Sequence, residues 1–180
     1  VVIGSAGIDY ITAGSNDVVN CGIGDHVTII GSNVTVNEDA SQQTNVYGAV
    51  TYIGSGANSG HNIINLLTQS DANLGWGGDT VNVYSSNDFI NSTHSDVSDV
   101  SAANKIVIKA GARGNTIDNF LFGFDSLDLG SSQIQSIKYV SDLGIINIGT
   151  SDSDVAVSLD FRHSGFNPYN PTDTFSTYLL

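Results

Sequence analysis

Basic residues are scarce in this chain. Five Lys and Arg face 18 Asp and Glu across 180 residues, for a formal net charge of −13. Nucleic acid and anionic membrane both select basic surfaces, so the composition argues against either as a partner. Methionine is absent, and a single cysteine, Cys21, rules out an intramolecular disulfide. Cys21 falls inside a repeat and reads as a small buried apolar residue. No apolar run reaches the roughly 18 residues a membrane-spanning helix needs. No amphipathic helical pattern of useful length occurs either. A G-x-S-x-G elbow and an H-E-x-x-H pair are both missing. The four histidines, His26, His61, His94 and His163, are scattered without zinc-ligand spacing.

What the chain does have is glycine, twenty residues of it, with many Asn, Ser and Thr. These residues favour turns between short strands. A hydrophobic content of 40% is enough to build a core. The turn residues are also periodic. Asp9, Asp17, Asp25 and Asn33 lie eight residues apart, with glycine before them at Gly7, Gly14, Gly22, Gly24 and Gly31. Ile11, Val19 and Val27 each follow the acid by two positions, and Thr35 holds the fourth place. A second patch repeats the idea: Gly77-Gly78-Asp79 precedes Val81 and Val83, and Asp88 follows Asp79 by nine.

This spacing predicts stacked rungs of very short strand, each with an inward β-branched residue. One rung cannot bury its apolar face alone, so rungs must stack. Glycine permits the positive φ of a tight turn and frees carbonyls to point at an ion. Asp supplies a hard oxygen ligand, and calcium takes six to eight oxygens. The candidate calcium ligands and turn glycines are therefore Gly4, Gly7, Asp9, Asp17, Gly22, Gly24, Asp25, Asn33, Gly77, Asp79 and Asp88. An ion between turns two repeats apart would join Asp9 to Asp25, and Asp17 to Asn33. The competing reading is that Asp, Asn and Gly only shape the turns.

The segment Gly4-Ser-Ala-Gly7-Ile-Asp9-Tyr-Ile11-Thr12 fits the nonapeptide G-G-x-G-x-D-x-U-x, with Ser5 in the second place. It resembles the hemolysin-type calcium-binding repeats known as RTX, as does the turn around Asp79. The stretch Asn115-Thr-Ile117-Asp118-Asn-Phe120, then Asp125-Ser-Leu127-Asp128-Leu129, is similar to the tail that follows such repeats in serralysin-type proteases and alginate epimerase modules. Asn115 stands where that tail has its first acid. The resemblance implies an all-β chain, a parallel β-roll or β-solenoid with a β-sandwich-like C-terminal cap. It also implies calcium-coupled folding, type I export and a secreted, extracellular or bacterial cell-surface location. The insertions at 37–70 and 92–104 are closer to degenerate repeats of S-layer proteins and large adhesins.

Two regions are expected, a degenerate roll over 1–104 and a capping, secretion-associated β region over 105–180. The chain opens on Val1 near a repeat boundary without a signal-peptide pattern, so a fragment of a longer protein is expected. The expected function is a calcium-binding, non-catalytic structural module, with neighbouring protomers or surface polysaccharide as partners. A carbohydrate-binding or carbohydrate-active β-helix fragment is the alternative. For it, Trp76, Tyr84 and Phe89 would supply stacking aromatics. Asp125 with Asp128, or Asp152 with Asp154, would supply paired carboxylates, although these read more simply as tail and turn residues.

Overall fold

In the computed structural model, the described residues are 1–4, 8–30, 34–38, 43–47, 51–54, 61–74, 78–92, 103–121, 124–140, 145–151 and 153–160. They form β-strands and turns, with no helix among them. The first nine strands are β1 (Val2–Ile3), β2 (Tyr10–Ala13), β3 (Val18–Asn20), β4 (His26–Ile29), β5 (Thr35–Glu38), β6 (Gln43–Val46), β7 (Thr51–Gly54), β8 (Ile63–Leu66) and β9 (Asp71–Leu74). Then come β10 (Thr80–Val83), β11 (Phe89–Ser92), β12 (Lys105–Ile108), β13 (Asn115–Asp118), β14 (Ser126–Asp128), β15 (Ile134–Val140), β16 (Ile145–Thr150) and β17 (Ser153–Asp160).

Successive strands alternate between two sheets. The even-numbered strands β2 to β14 form a seven-stranded parallel sheet. The odd-numbered strands from β1 to β13 stack in parallel in the other, which β17, β16 and β15 extend to ten strands. Parallel pairing follows from the chain path, because each strand returns to its own sheet only after visiting the other.

Strand sequence explains which face turns inward. In β4, His-Val-Thr-Ile alternates, and Val27 and Ile29 are buried while His26 and Thr28 are half-buried. The same period of two buries Ile64 and Leu66 in β8, Val81 and Val83 in β10, and Ile106 and Ile108 in β12. The odd strands answer with Val19, Val36, Ala72, Leu74, Ile90, Ile117, Val157 and Leu159 in the same continuous core. Burying each such large aliphatic side chain contributes roughly 1.5–3 kcal/mol, and no four-residue strand gathers enough alone. Cys21 is half-buried against this core.

Several expectations shift. Val19 pairs with Val36, so the fourth inward place belongs to Val36 and not to Thr35, which is half-buried on the outer face. The eight-residue step is thus half of a longer circuit, and alternate acids serve different sheets. The stretch 37–70 continues the stacking through β6, β7 and β8 instead of interrupting it. Pairing also crosses residue 104, where β12 joins β10 in full register. The closing strands add to the ten-stranded sheet: β17 pairs in parallel with β13, and β16 and β15 follow as an antiparallel meander. Among the described residues they form no separate sandwich. Residues 161–180, the last part of the expected capping and secretion-associated region, lie outside the described set.

Candidate functional site

The acids picked out by the sequence sit at the residue just before a strand, and there they do one recurring thing. At Asp25, Asp79 and Asp88 a side-chain oxygen accepts a main-chain N–H from the equivalent position one strand earlier in the same sheet, and Asn104, Asn115 and Asp125 do the same. Asp25 Oδ1 accepts from Asp9 N at 3.1 Å. Asp79 Oδ1 accepts from Asn62 N at 3.0 Å, Asn104 Oδ1 from Asp79 N at 2.9 Å, and Asp125 Oδ1 from Asn104 N at 2.9 Å. On the other sheet Asp88 Oδ1 accepts from Ser70 N at 2.7 Å, and Asn115 Oδ1 from Asp88 N at 2.9 Å. These are turn amides that no strand ladder would otherwise satisfy at this point, and most of the residues are buried.

The second carboxylate oxygen closes the local turn. Asp25 Oδ2 accepts from Gly22 N at 2.7 Å, and Asp17 Oδ2 from Gly14 N at 2.9 Å, each three residues back. Asp88 Oδ2 accepts from Ser85 Oγ at 2.7 Å. Asp125 Oδ2 accepts from Leu121 N at 2.9 Å and from Ser92 Oγ at 3.0 Å. Asn104 Nδ2 donates to that same Ser92 Oγ at 2.8 Å, so this network ties one sheet to the other.

A backbone rule goes with the ladder. The residue before the ladder position takes positive φ at Asn16, Gly24, His61, Gly78, Asn87 and Gly114. That conformation suits Gly and Asn and turns the next N–H and side chain toward the neighbouring strand. Gly4 has a different reason to be glycine. A Cβ there would collide with Asp25 Oδ2 and stand 2.9 Å from the Gly22 nitrogen.

Burial sets the electrostatics. Desolvation pushes the Asp79 carboxyl up to about 6, against the opposing pull of the Asn62 N–H and the nearby His61. Asp88 is raised for the same first reason, with Ser85 and Ser70 pulling it down and Asp71 pushing it further up.

The structure therefore brings Asp9 and Asp25 together, through a main-chain N–H rather than through paired carboxylates facing an ion. Gly4, Gly22 and Gly24 cluster around Asp25. Asp79 and Asp88 lie on different sheets, each in its own ladder. Val34, not Asn33, is level with Asp17, because Val18 pairs with Thr35. Gly7, Asn33 and Gly77 lie outside the described residues. Among the described residues, no three acidic, His or Cys groups gather as a metal site. Asp25, Asp88 and Asp125 already direct both oxygens at N–H or O–H donors. The described side chains of Asp25, Asp88 and Asp125 act as caps of turn N–H and O–H groups.

The other sequence candidates are also separated. Tyr84 follows β10 of the seven-stranded sheet, whereas Phe89 belongs to β11 of the other, so they share no platform. Trp76 lies outside the described residues. Asp125 is buried in the ladder, while Asp128 accepts from Gly130 N at 2.8 Å and faces Lys105 at 3.9 Å. Asp152, His94 and His163 lie outside the described residues, as does the Asp154 side chain. Sequence reasoning passed over Asn62, Ser70 and Asn104 because it looked for acids, and noted Asn115 only as the residue in place of the tail's first acid. A signal was available at Asn115, an Asx residue that follows a glycine and opens an alternating quartet, whereas Asn62, Ser70 and Asn104 follow His61, Gln69 and Ala103 and carry none.

No described helix is long and apolar enough to cross a membrane. Comparison of the chain with family models, with curated proteins and with solved structures finds no match to any of them.

Proposed function

We propose that this chain is a non-catalytic structural module, a β-roll-like solenoid within a secreted or surface-exposed bacterial protein. The observation that carries the reading is the Asx ladder, which runs from Asn62 to Asp125 in one sheet and from Ser70 to Asn115 in the other. The titratable and amide side chains that would be candidates for chemistry are spent on capping main-chain N–H groups, strand after strand. Such a stack supplies a stiff, extendable spacer, and a surface-layer or adhesin-type protein has use for one. The acidic balance and lack of basic surface suit an extracellular setting. The RTX resemblance supports type I export by analogy.

Calcium enters this reading differently from the sequence expectation. In this reading the described turns are held by protein donors, and folding of the stack without the ion is the expectation to be tested.

Native-state amide exchange tests the module. The N–H groups of Asn62, Ser70, Asp79, Asp88 and Asn104 are expected to exchange as slowly as strand centres. Fast exchange at these turns beside slow strands would overturn the capping role. Protease treatment of intact source cells tests the location: released peptides of this chain are expected, and their absence while lysates yield them would overturn it.

A further inference from the structure

The outer face of the seven-stranded sheet carries a second ladder, unrelated to the turns. Thr12, Thr28, Asn45, Asn65 and Asn82 occupy one line across five adjacent strands, in direct register. Asn65 Nδ2 donates to Asn45 Oδ1 at 2.8 Å, and Asn82 Nδ2 donates to Asn65 Oδ1 at 3.0 Å. A primary amide has two N–H donors and two acceptor lone pairs. Each link uses one donor and one lone pair, so each amide retains hydrogen-bonding capacity directed off the sheet. These capacities recur at the strand spacing of about 4.8 Å.

Beside this line runs an apolar one. Tyr47 and Tyr84 stand at the next outward position, one residue beyond their strands. Their main-chain N–H groups still continue the sheet, donating to Ile29 O and Leu66 O at 2.9 Å each. The two side chains are 53% and 49% exposed. They are two strand steps apart, roughly 10 Å along the stack. Between and beside them lie half-buried Leu67 and exposed Ile30.

Charge sets this face apart. From β2 to β10, its described outward side chains include no Lys, Arg, Asp or Glu, on a chain of net charge −13. The opposite sheet shows Asp71 and Asp118 on its outer face. A row of amides and hydroxyls at a fixed step, uncharged from β2 to β10 and flanked by aromatic rings, matches a ligand with repeating hydroxyls and apolar ring faces.

We propose that this face binds a linear, uncharged polysaccharide laid along the stack, with its hydroxyls on the Asn45, Asn65 and Asn82 amides and its sugar rings against Tyr47 and Tyr84. Tyrosine suits the role because its ring packs on the apolar face of a sugar while its hydroxyl stays wet. Among the described residues, the one cation close to these rings is Lys109, whose Nζ lies 5.5 Å from the centroid of the Tyr84 ring and leaves the other ring face for a sugar, while the net charge of −13 opposes an anionic polymer. The proposal stands on this face alone and does not depend on the location or export of the protein.

Affinity electrophoresis through native gels holding hydroxyethylcellulose, glucomannan or xylan tests it, with alginate as the anionic comparison. Retardation is expected in at least one neutral gel and not in alginate. The double variant Tyr47→Ala/Tyr84→Ala should weaken it by about tenfold or more, with an unchanged thermal melt. Phe89→Ala, on the other sheet, should leave it intact. No retardation in any neutral gel, retardation indifferent to the tyrosine pair, or stronger retardation in alginate would each overturn the proposal.

Discussion

Asn104 accepts the main-chain N–H of Asp79 at 2.9 Å, and so performs with an amide oxygen the task that Asp79 performs with a carboxylate for Asn62. The two residues occupy successive places in one ladder. The amide does it without a buried charge. That equivalence makes Asp79 a place where the ladder responds to pH and where an amide can replace the charge.

Asp79 has its folded-state carboxyl raised from 3.8 to about 6, chiefly by desolvation. A raised carboxyl favours the protonated fold. Its stabilising contribution is full below the unfolded value of 3.8 and is lost as pH rises through about 6. The loss is on the order of 2–3 kcal/mol. Asp79→Asn keeps the oxygen that caps Asn62 and removes the charge. Thermal melts across this pH range should show the variant more stable than the parent near neutrality, by on the order of 1–3 kcal/mol. They should also show a flatter dependence on pH for the variant. A variant less stable at neutral pH would mean the charge itself is needed.

Asp25 differs because both of its oxygens are in use. Asp25→Ala leaves the Asp9 and Gly22 N–H groups without their acceptor, at a cost of about 1–3 kcal/mol for each such group that stays buried. Asp25→Asn restores one acceptor and places an amide nitrogen against the other donor. Urea melts should therefore rank parent, Asn variant and Ala variant in descending stability.

Gly4→Ala should destabilise through sterics alone. The new Cβ meets the carboxylate of Asp25 and the fixed backbone of Gly22. A cost of roughly 1–3 kcal/mol is expected from such overpacking. Gly111→Ala serves as the comparison, since φ is +85° there but nothing lies within 4 Å of the added carbon. It should lose only the backbone penalty of a side chain at positive φ, roughly 1–2 kcal/mol. Equal losses in chemical-denaturation melts would argue that Gly4 is not in contact with Asp25.

Asn65 holds the centre of the outer amide line, bonded to Asn45 on one side and Asn82 on the other. Asn65→Ala removes two half-buried side-chain bonds, each contributing roughly 0.5–1.5 kcal/mol. A drop in melting temperature without loss of the far-UV β spectrum is expected. A drop no larger than that of an isolated surface variant would show that the line is not cooperative.

Much of the strand pattern was legible in the sequence. The Asp-x-β-branched spacing at Asp9-Ile11, Asp17-Val19 and Asp25-Val27 marked real strand starts with real inward residues. The full circuit was harder to read, because the eight-residue step covers one strand and not a return to the same sheet. Thr44 hid β6, since it is a polar residue at an inward place, fully buried. Asn62 and Asn104 were passed over for a chemical reason. A metal needs charge, whereas an N–H needs only an oxygen at that distance from Cβ, and Asn offers one. The pairing of Asn115 with Val157 joins β13 to β17 across the two intervening meander strands, and no local period encodes it.

The most direct test of the account is the far-UV circular dichroism spectrum and thermal melt of the chain after EDTA treatment, before and after calcium is added, with magnesium as control. If the Asx ladder holds the stack, the β spectrum and its cooperative melt persist in EDTA and change little with either ion. A chain that is unfolded in EDTA and gains its β signal cooperatively with calcium alone would contradict it, and would make the turn carboxylates ion ligands before caps.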